Sequence, residues 1–219
     1  IEARPSIAGN PFKGLASFDT GDEQIFFGRR AETLAALACF GNQDGRVADN
    51  QGGWAGSGAY RRWVSVVGSS GSGKSSLVRA GMLPLVRRGS LWAQTQLEQW
   101  RIVGPLLPGK NPLDELALAL EQAFQKDPNQ RDYKRNVLPR LGCADADALT
   151  VYLRERCDPQ HKEGVLLVVD QFEEMFTMAA PAERQRMDEL LAHALASNQV
   201  RFYLLSTLRS DHLHLQAEL

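Results

Sequence analysis

Residues Gly68–Ser75 read GSSGSGKS and fit the spacing of a phosphate-binding loop, G-x-x-x-x-G-K-[ST]. Glycines let backbone N–H groups turn inward around phosphate oxygens, and the N-terminus of a following helix adds positive partial charge. At this spacing Lys74 is expected to reach the β- and γ-phosphates of a nucleotide, as a binding and a catalytic group, and Ser75 to be a magnesium ligand. The candidate binding residues of the loop are Ser69, Ser70, Gly71, Ser72, Gly73, Lys74, Ser75 and Ser76.

The residues on either side predict that this loop joins a strand to a helix. Trp63–Val67 is an apolar run rich in valine, and Ser76–Ala80 is compatible with a helix. The alternative is a flexible Gly/Ser linker, but a linker needs neither Lys74 nor a strand in front of it. The strand–loop–helix context therefore favours phosphate binding.

A carboxylate at the end of a second apolar run is the candidate partner of the loop. Gly164–Val169 carries no charge and is followed directly by Asp170, which is typical of a central parallel strand buried on both faces. An unpaired carboxylate there would be costly. A magnesium ion held through water between Asp170 and Ser75 would relieve that cost. The alternative is that Asp170 caps the helix that follows.

The candidate catalytic groups beyond Lys74 follow two predicted strands. Gln171 comes directly after Asp170, where many ATPases carry a general base, and it can orient a water but cannot take its proton. Glu173 or Glu174 can act as the base if the turn brings one of them to the γ-phosphate. Both are equally consistent with acids favoured at a helix N-terminus. Arg209, at the end of the run that begins at Val200, is either a γ-phosphate sensor or a solvated strand-end arginine.

Composition narrows the class of protein. The chain has 219 residues, of which 43% are hydrophobic, and this is enough for one sizeable core. The net charge of −1 argues against a general affinity for nucleic acid or anionic membranes. The three cysteines are odd in number and lack the regular spacing of a disulfide framework, so they indicate a reducing, cytoplasmic location. No apolar run approaches the length that spans a bilayer, and no signal peptide is recognisable. Because the first residue is Ile1 rather than Met, we expect the chain to be a piece of a longer protein.

Alternating strand and helix patterns predict an α/β fold with a parallel sheet and ligands at the carboxyl ends of its strands. Residues 1–24 are expected to form an extended leading segment that docks on the domain, and 25–219 to form the core, with a flexible insertion at about 41–60. Asn111 is predicted to cap a helix that starts at Pro112. The predicted strands are 63–67, 100–103, 164–170 and 200–209, and the predicted helices are 29–37, 76–88, 112–124, 146–157 and 181–197.

Taken together, these residues resemble the STAND NTPases, signal-transduction ATPases with numerous domains, and most of all the class called novel STAND NTPase 1. The Phe-Phe-Gly-Arg and Val-Asp-Gln-Phe-Glu-Glu stretches are far more selective than the phosphate-binding loop, which a large superfamily shares. The similar stretches are Asn10–Leu15 with Phe18, Phe26–Glu32, Val66–Gly81, Leu167–Phe176 and Leu205–Asp211.

The resemblance implies a three-layer P-loop NTPase fold of the ASCE type, in which a central parallel sheet is flanked by helices. It implies adenine rather than guanine, with Phe27, Gly28 and Arg29 lining the base. It also implies a switch in which ADP holds an inactive monomer and ATP favours self-association. The residues themselves, a complete phosphate and magnesium constellation beside Gln171, predict weak ATP hydrolysis. The implied partners are effector and sensor domains of the same full-length chain, found mostly in bacterial proteins and often in defence or stress signalling.

Other functions remain open at this point. An ordinary P-loop hydrolase or small-molecule kinase would turn over quickly, although no lid-like basic segment stands out. A GTPase would be expected to carry an N-K-x-D motif, which is absent from the sequence. A nucleotide-independent interaction scaffold would keep its assembly state whether or not ATP is present. An origin-type DNA-binding ATPase would be expected to show a basic surface, and the balanced charge argues against it.

Overall fold

The computed structural model describes residues 16–41, 62–157 and 162–213. Within these ranges one sheet of four parallel strands has the order β1-β4-β3-β2. Its strands are β1 (Trp63–Gly68), β2 (Gln99–Leu106), β3 (Glu163–Val169) and β4 (Phe202–Arg209). The two strands expected to carry site residues at their ends, β3 and β4, therefore lie in the middle of the described sheet.

Ten α-helical segments in the described ranges connect and cover the strands. They are α1 (Arg30–Ala38), α2 (Lys74–Ser76), α3 (Leu83–Arg87), α4 (Trp92–Thr95), α5 (Pro112–Phe124), α6 (Tyr133–Asn136), α7 (Leu138–Leu141), α8 (Ala148–Arg154), α9 (Glu174–Thr177) and α10 (Pro181–Ala196). A π-helical turn, Leu77–Met82, joins α2 to α3. We call the continuous helix at residues 74–87 the P-loop helix.

Alternation along the central strands divides the core into two apolar layers. Val165, Leu167 and Val169 of β3 pack with α5, α7, α8 and α10 on one face of the sheet. Leu166 and Val168 pack with α1 and the P-loop helix on the other face. Successive side chains of a strand point to opposite faces, so an uninterrupted apolar strand is what a sheet covered on both sides requires. The three-layer α/β prediction is confirmed.

The strand register brings the predicted site residues to one edge of the sheet. Gly68 of β1 pairs with Arg209 of β4, and Val169, just before Asp170, pairs with Ser206. In parallel sheets the carboxyl ends of neighbouring strands meet on the same side. The phosphate-binding loop and the turn after β3 therefore open toward the same region, with the end of β4 between them.

Some local expectations differ from the structure. Thr20–Ile25 forms a 3-10 helix rather than extended chain, because Asp19 and Asp22 make a reciprocal capping box. Pro112 is the first residue of α5 as predicted, but the Asn111 side chain makes no capping hydrogen bond. The predicted insertion falls almost wholly in 42–61 and most of the leading segment in 1–15, which lie outside the described residues.

Candidate nucleotide-binding site

The loop between β1 and α2 has the backbone that phosphate binding requires. Gly71 and Gly73 have φ values of 72° and 80°, in the left-handed region that L side chains rarely adopt. A Cβ on Gly68 would lie 2.7 Å from the Ser72 Oγ, so a side chain there would require the Ser72 hydroxyl to move. Lys74 is the first residue of α2. The sequence prediction of strand, loop and helix is confirmed.

Lys74 folds back over this loop. Its Nζ donates hydrogen bonds to the carbonyl oxygens of Gly68 and Ser69, at 2.9 and 2.8 Å. An ammonium group held beside the phosphate-binding loop adds a full positive charge where anionic phosphate oxygens would bind. The next two residues diverge: Ser75 turns toward the sheet, whereas Ser76 Oγ accepts the N–H of Phe18 at 3.0 Å. The Ser76 hydroxyl thus anchors the leading segment, as the predicted docking of that segment requires.

Asp170 is the hub that joins the two halves of the site. Its Oδ1 accepts hydrogen bonds from Ser75 Oγ at 2.7 Å and from Thr207 Oγ1 at 2.6 Å. Its Oδ2 accepts from Arg79 Nη2 at 3.0 Å. The residue is only 4% exposed, so these contacts compensate most of a charge that burial would otherwise penalise. The structure brings the two predicted metal-binding residues into direct contact.

The turn after Asp170 separates the three candidate catalytic side chains. Gln171 is exposed, has a φ of 55°, and donates its N–H to Thr207 Oγ1 at 2.9 Å. Glu173 is 5% exposed, and its Oε2 accepts the N–H of Arg209 at 3.3 Å. Glu174 Oε2 instead accepts the N–H of Gly109 at 3.0 Å.

Those contacts place the two acids on opposite sides of β3. Glu173 contacts the end of β4, the strand next to β1 and its phosphate-binding loop. Glu174 contacts the turn after β2, which is the strand farthest from β1 and its loop in the described sheet. The sequence treats the two as equivalent because they are adjacent, but the fold does not.

Arg209 lies where the sequence predicts but with its side chain engaged. Its Nε and Nη2 donate to the carboxylate of Asp211 at 3.1 and 2.6 Å. The hydrogen bond from Arg209 lowers the pKa of Asp211 and, reciprocally, raises the pKa of Arg209. Both side chains are largely exposed, so solvent screens this pair and makes it easy to exchange.

The Phe27–Arg29 stretch lies beside the loop. Arg29 Nη1 donates to the Ser72 carbonyl at 2.7 Å, and a Cβ on Gly73 would lie 3.2 Å from the same nitrogen. Phe27 has 66% of its surface exposed. Gly28, with a φ of 85°, makes the turn between them. Phe27 is exposed and lies two residues before Arg29 in the chain, which is compatible with the predicted role in lining a base. Arg29 itself contacts the loop at Ser72.

Sequence comparison then decides the family. A sequence model of the family described as Novel STAND NTPase 1 matches residues 11–218. The chain belongs to this family. It is therefore a P-loop module of a nucleoside-triphosphatase family, as its motifs predict. No curated protein matches the chain.

A solved structure supports the fold of this STAND NTPase. The chain is similar to the Aeropyrum pernix ORC2 protein, solved as ADPNP-ADP complexes, with a TM-score of 0.50 and 15% sequence identity. The similarity covers 84% of this chain and 41% of the archaeal chain. At that identity the likeness concerns the fold alone. Within the described ranges, none of the helices combines the length and apolar composition that crossing a bilayer requires.

The residues present fit a magnesium–nucleotide ligand. The Ser75 hydroxyl donates its hydrogen bond to Asp170, which leaves the lone pairs of its oxygen available to a cation. No cluster of three or more His, Cys, Asp or Glu side chains in the described ranges could hold a metal. The protein therefore offers few ligands of its own, and magnesium bound in this way takes most of its ligands from phosphate and water.

Sequence reasoning missed Arg79 and Thr207, which both contact Asp170. A signal for each was present. Arg79 follows Ser75 by four residues, the spacing that places two side chains on one helix face. Thr207 is a polar residue inside an apolar strand, buried to 1% exposure, and such a group needs a hydrogen-bond partner.

Proposed function

We propose that this chain is the ATP- and ADP-binding switch module of a multidomain signalling protein, and that it hydrolyses ATP slowly. The single observation that carries the proposal is the hydrogen bond from Ser75 to Asp170 at 2.7 Å. It joins the phosphate-binding loop to the acid at the end of β3, which is the pairing that magnesium-dependent nucleotide binding needs. Lys74 and the loop amides would bind the phosphates.

Ser75 and Asp170 would hold magnesium, which when bound supplies positive charge to the phosphate oxygens. Phe27 would stack on the adenine, because its aromatic side chain is exposed and it lies two residues before Arg29, which contacts the loop. Arg29 would keep the outer side of the loop in place through the Ser72 carbonyl.

We assign the general base to Glu173 rather than Glu174. Glu173 lies beside β4, whose last residue pairs with Gly68 at the start of the loop. A base must come within hydrogen-bond reach of the attacking water, directly or through one further water. Gln171, exposed at the same turn, would orient that water without accepting its proton. Slow hydrolysis suits a switch, because a bound nucleotide must persist long enough to be sensed.

Arg209 would distinguish ATP from ADP. Its guanidinium is bound to an exposed carboxylate that a γ-phosphate could replace at little cost. We propose that this exchange favours self-association and thereby reports the nucleotide state to effector and sensor domains elsewhere in the full-length chain. The module would act in the cytoplasm, where ATP and magnesium are abundant.

Binding of ATP, ADP and GTP, measured by calorimetry with magnesium, tests the proposal. We expect adenine nucleotides to bind and Lys74→Ala to weaken that binding at least about tenfold, since it removes a charge-assisted contact to phosphate. Lys134→Ala, which removes an exposed lysine on α6, is the matched control and should bind as the wild type does. Equal affinity of Lys74→Ala and wild type would refute the assignment.

Hydrolysis and assembly are tested separately. Glu173→Gln should lower ATP turnover by about a hundredfold or more while ATP still binds, whereas Glu174→Gln should keep most of the turnover. Light scattering of the full-length protein should show a larger assembly with ATP than with ADP. An assembly state that ignores nucleotide would instead support the interaction-scaffold alternative.

A further inference from the structure

Arg79 is a cation in the site that the loop motif does not explain. It lies four residues after Ser75, inside the π-helical turn Leu77–Met82. Residues four apart share a helix face, so one face of the P-loop helix presents a hydroxyl and a guanidinium to the same carboxylate, Asp170. Short π-helical segments are frequent at functional sites.

The contact between Arg79 and Asp170 is buried but incomplete. The two side chains are 24% and 6% exposed, respectively. Arg79 uses only Nη2, and its Nε is buried without a hydrogen-bond partner among the described residues. By contrast, Arg101 donates Nε to Glu163 Oε1 at 2.9 Å, and its Nη2 lies 2.7 Å from the same oxygen. At similar burial, a guanidinium held through one nitrogen, with a second nitrogen left unsatisfied, is easier to release than one held through two nitrogens.

The charge balance explains what this hold achieves. If Lys74 were the only cation of the site, the carboxylate of Asp170 would lack a positive partner. Its negative charge would then repel a phosphate bound in the loop. Two of the three Nζ–H donors of Lys74 are bound to the carbonyls of Gly68 and Ser69, which leaves one for a phosphate oxygen. The guanidinium of Arg79 supplies the missing positive charge at Oδ2.

We propose that Arg79 is the built-in counter-ion of Asp170 and competes with a divalent cation for that carboxylate. The inference rests on the proposed nucleotide site and goes beyond it, because it assigns a positioning residue that sets how strongly nucleotide binding depends on magnesium. Loss of Arg79 should weaken nucleotide binding without metal, where the carboxylate is left uncompensated. It should spare binding with metal, where the metal replaces the guanidinium.

The test compares the Kd for ADP in EDTA with the Kd for ADP in magnesium, by calorimetry on wild type and Arg79→Gln. The ratio of interest is the Kd in EDTA divided by the Kd in magnesium. Because hydrogen bonds to charged groups are strong, this ratio should be about tenfold to a hundredfold higher in Arg79→Gln than in the wild type. Arg87→Gln is the matched control, because it makes the same charge change at an exposed position near the end of the same helix. Its ratio should equal that of the wild type.

Two other results are distinguishable. If Arg79→Gln weakens ADP binding by the same factor with and without magnesium, Arg79 only shapes the loop and the inference is overturned. If wild type binds no adenine nucleotide in either buffer, the proposed function itself fails.

A measurement on the wild type keeps the inference testable if the variant does not fold. The Nε–H signal of Arg79, assigned in the wild type by through-bond nitrogen-15 NMR correlation to the backbone amide of Arg79, should move when magnesium is added to the ADP complex. An Nε–H signal that ignores magnesium would overturn the proposed competition.

Discussion

Replacing Thr207 with valine should destabilise the protein through two lost hydrogen bonds. Thr207 is 1% exposed. Its hydroxyl donates to Asp170 Oδ1 at 2.6 Å and accepts the N–H of Gln171 at 2.9 Å. Valine has nearly the same shape, so the apolar packing of β4 is kept and the change isolates the hydroxyl.

The magnitude follows from those two contacts. A hydrogen bond to a charged group contributes about 1.5–3 kcal/mol, and a buried donor left without a partner costs about 1–3 kcal/mol. Gln171 is exposed as a residue, so water can partly satisfy its N–H. We therefore expect Thr207→Val to lower the free energy of unfolding by roughly 2–4 kcal/mol. For a chain of this size, that corresponds to a fall in Tm of about 5–15 °C.

Urea unfolding followed by circular dichroism gives the assay, and the chain offers its own control. Thr150 is equally buried, at 2% exposure, but its Oγ1 has no hydrogen-bond partner among the described residues. Thr150→Val removes a hydroxyl at no such cost and should be neutral or slightly stabilising. If Thr207→Val and Thr150→Val shift the urea midpoint equally, the role we give to the Thr207 hydroxyl is wrong.

Two further predictions concern packing and thiol chemistry. Gly81→Val should destabilise the protein by about 1–3 kcal/mol in the same assay, because a Cβ there would lie 2.7 Å from Thr33 Oγ1; Gly21→Ala, where a Cβ meets nothing within 4 Å, should not. Burial, helped by the charge of Glu163, raises the pKa of the Cys157 thiol to about 11, so it holds less thiolate than an ordinary cysteine at any pH below that value. Iodoacetamide at pH 8 should therefore modify the exposed Cys143 before Cys157. Mass spectrometry should show that the labelling of Cys157 still increases above pH 10. Fast labelling of Cys157 at pH 8 would contradict its burial.

Much of the site could be predicted because each of its two halves follows an apolar strand of the parallel sheet. Ser75 and Asp170 are 95 residues apart, yet their side chains lie 2.7 Å from each other. The loop motif fixes one position, and the rule that parallel strands end at one edge fixes the other. Neither step requires knowledge of how side chains pack in the folded protein.

The rest depended on contacts that no local pattern specifies. Glu173 and Glu174 are adjacent and chemically alike, and only the fold shows that one contacts Arg209 and the other Gly109. Asn111 has the residue type of a helix cap but not the hydrogen bond, since a cap depends on the backbone angles before the helix as well as on residue type.

The cationic side chains of this site differ in how firmly the protein itself holds them. Arg209 is bound to Asp211 at an exposed pair, where screening makes exchange cheap. Arg79 is bound to Asp170 at a buried pair, where removing one partner leaves a costly uncompensated charge. A γ-phosphate would therefore suffice to move Arg209, whereas only a divalent cation could take the place of Arg79. Under the proposed function, this ordering would let one site respond separately to the third phosphate and to the metal, as a nucleotide switch needs.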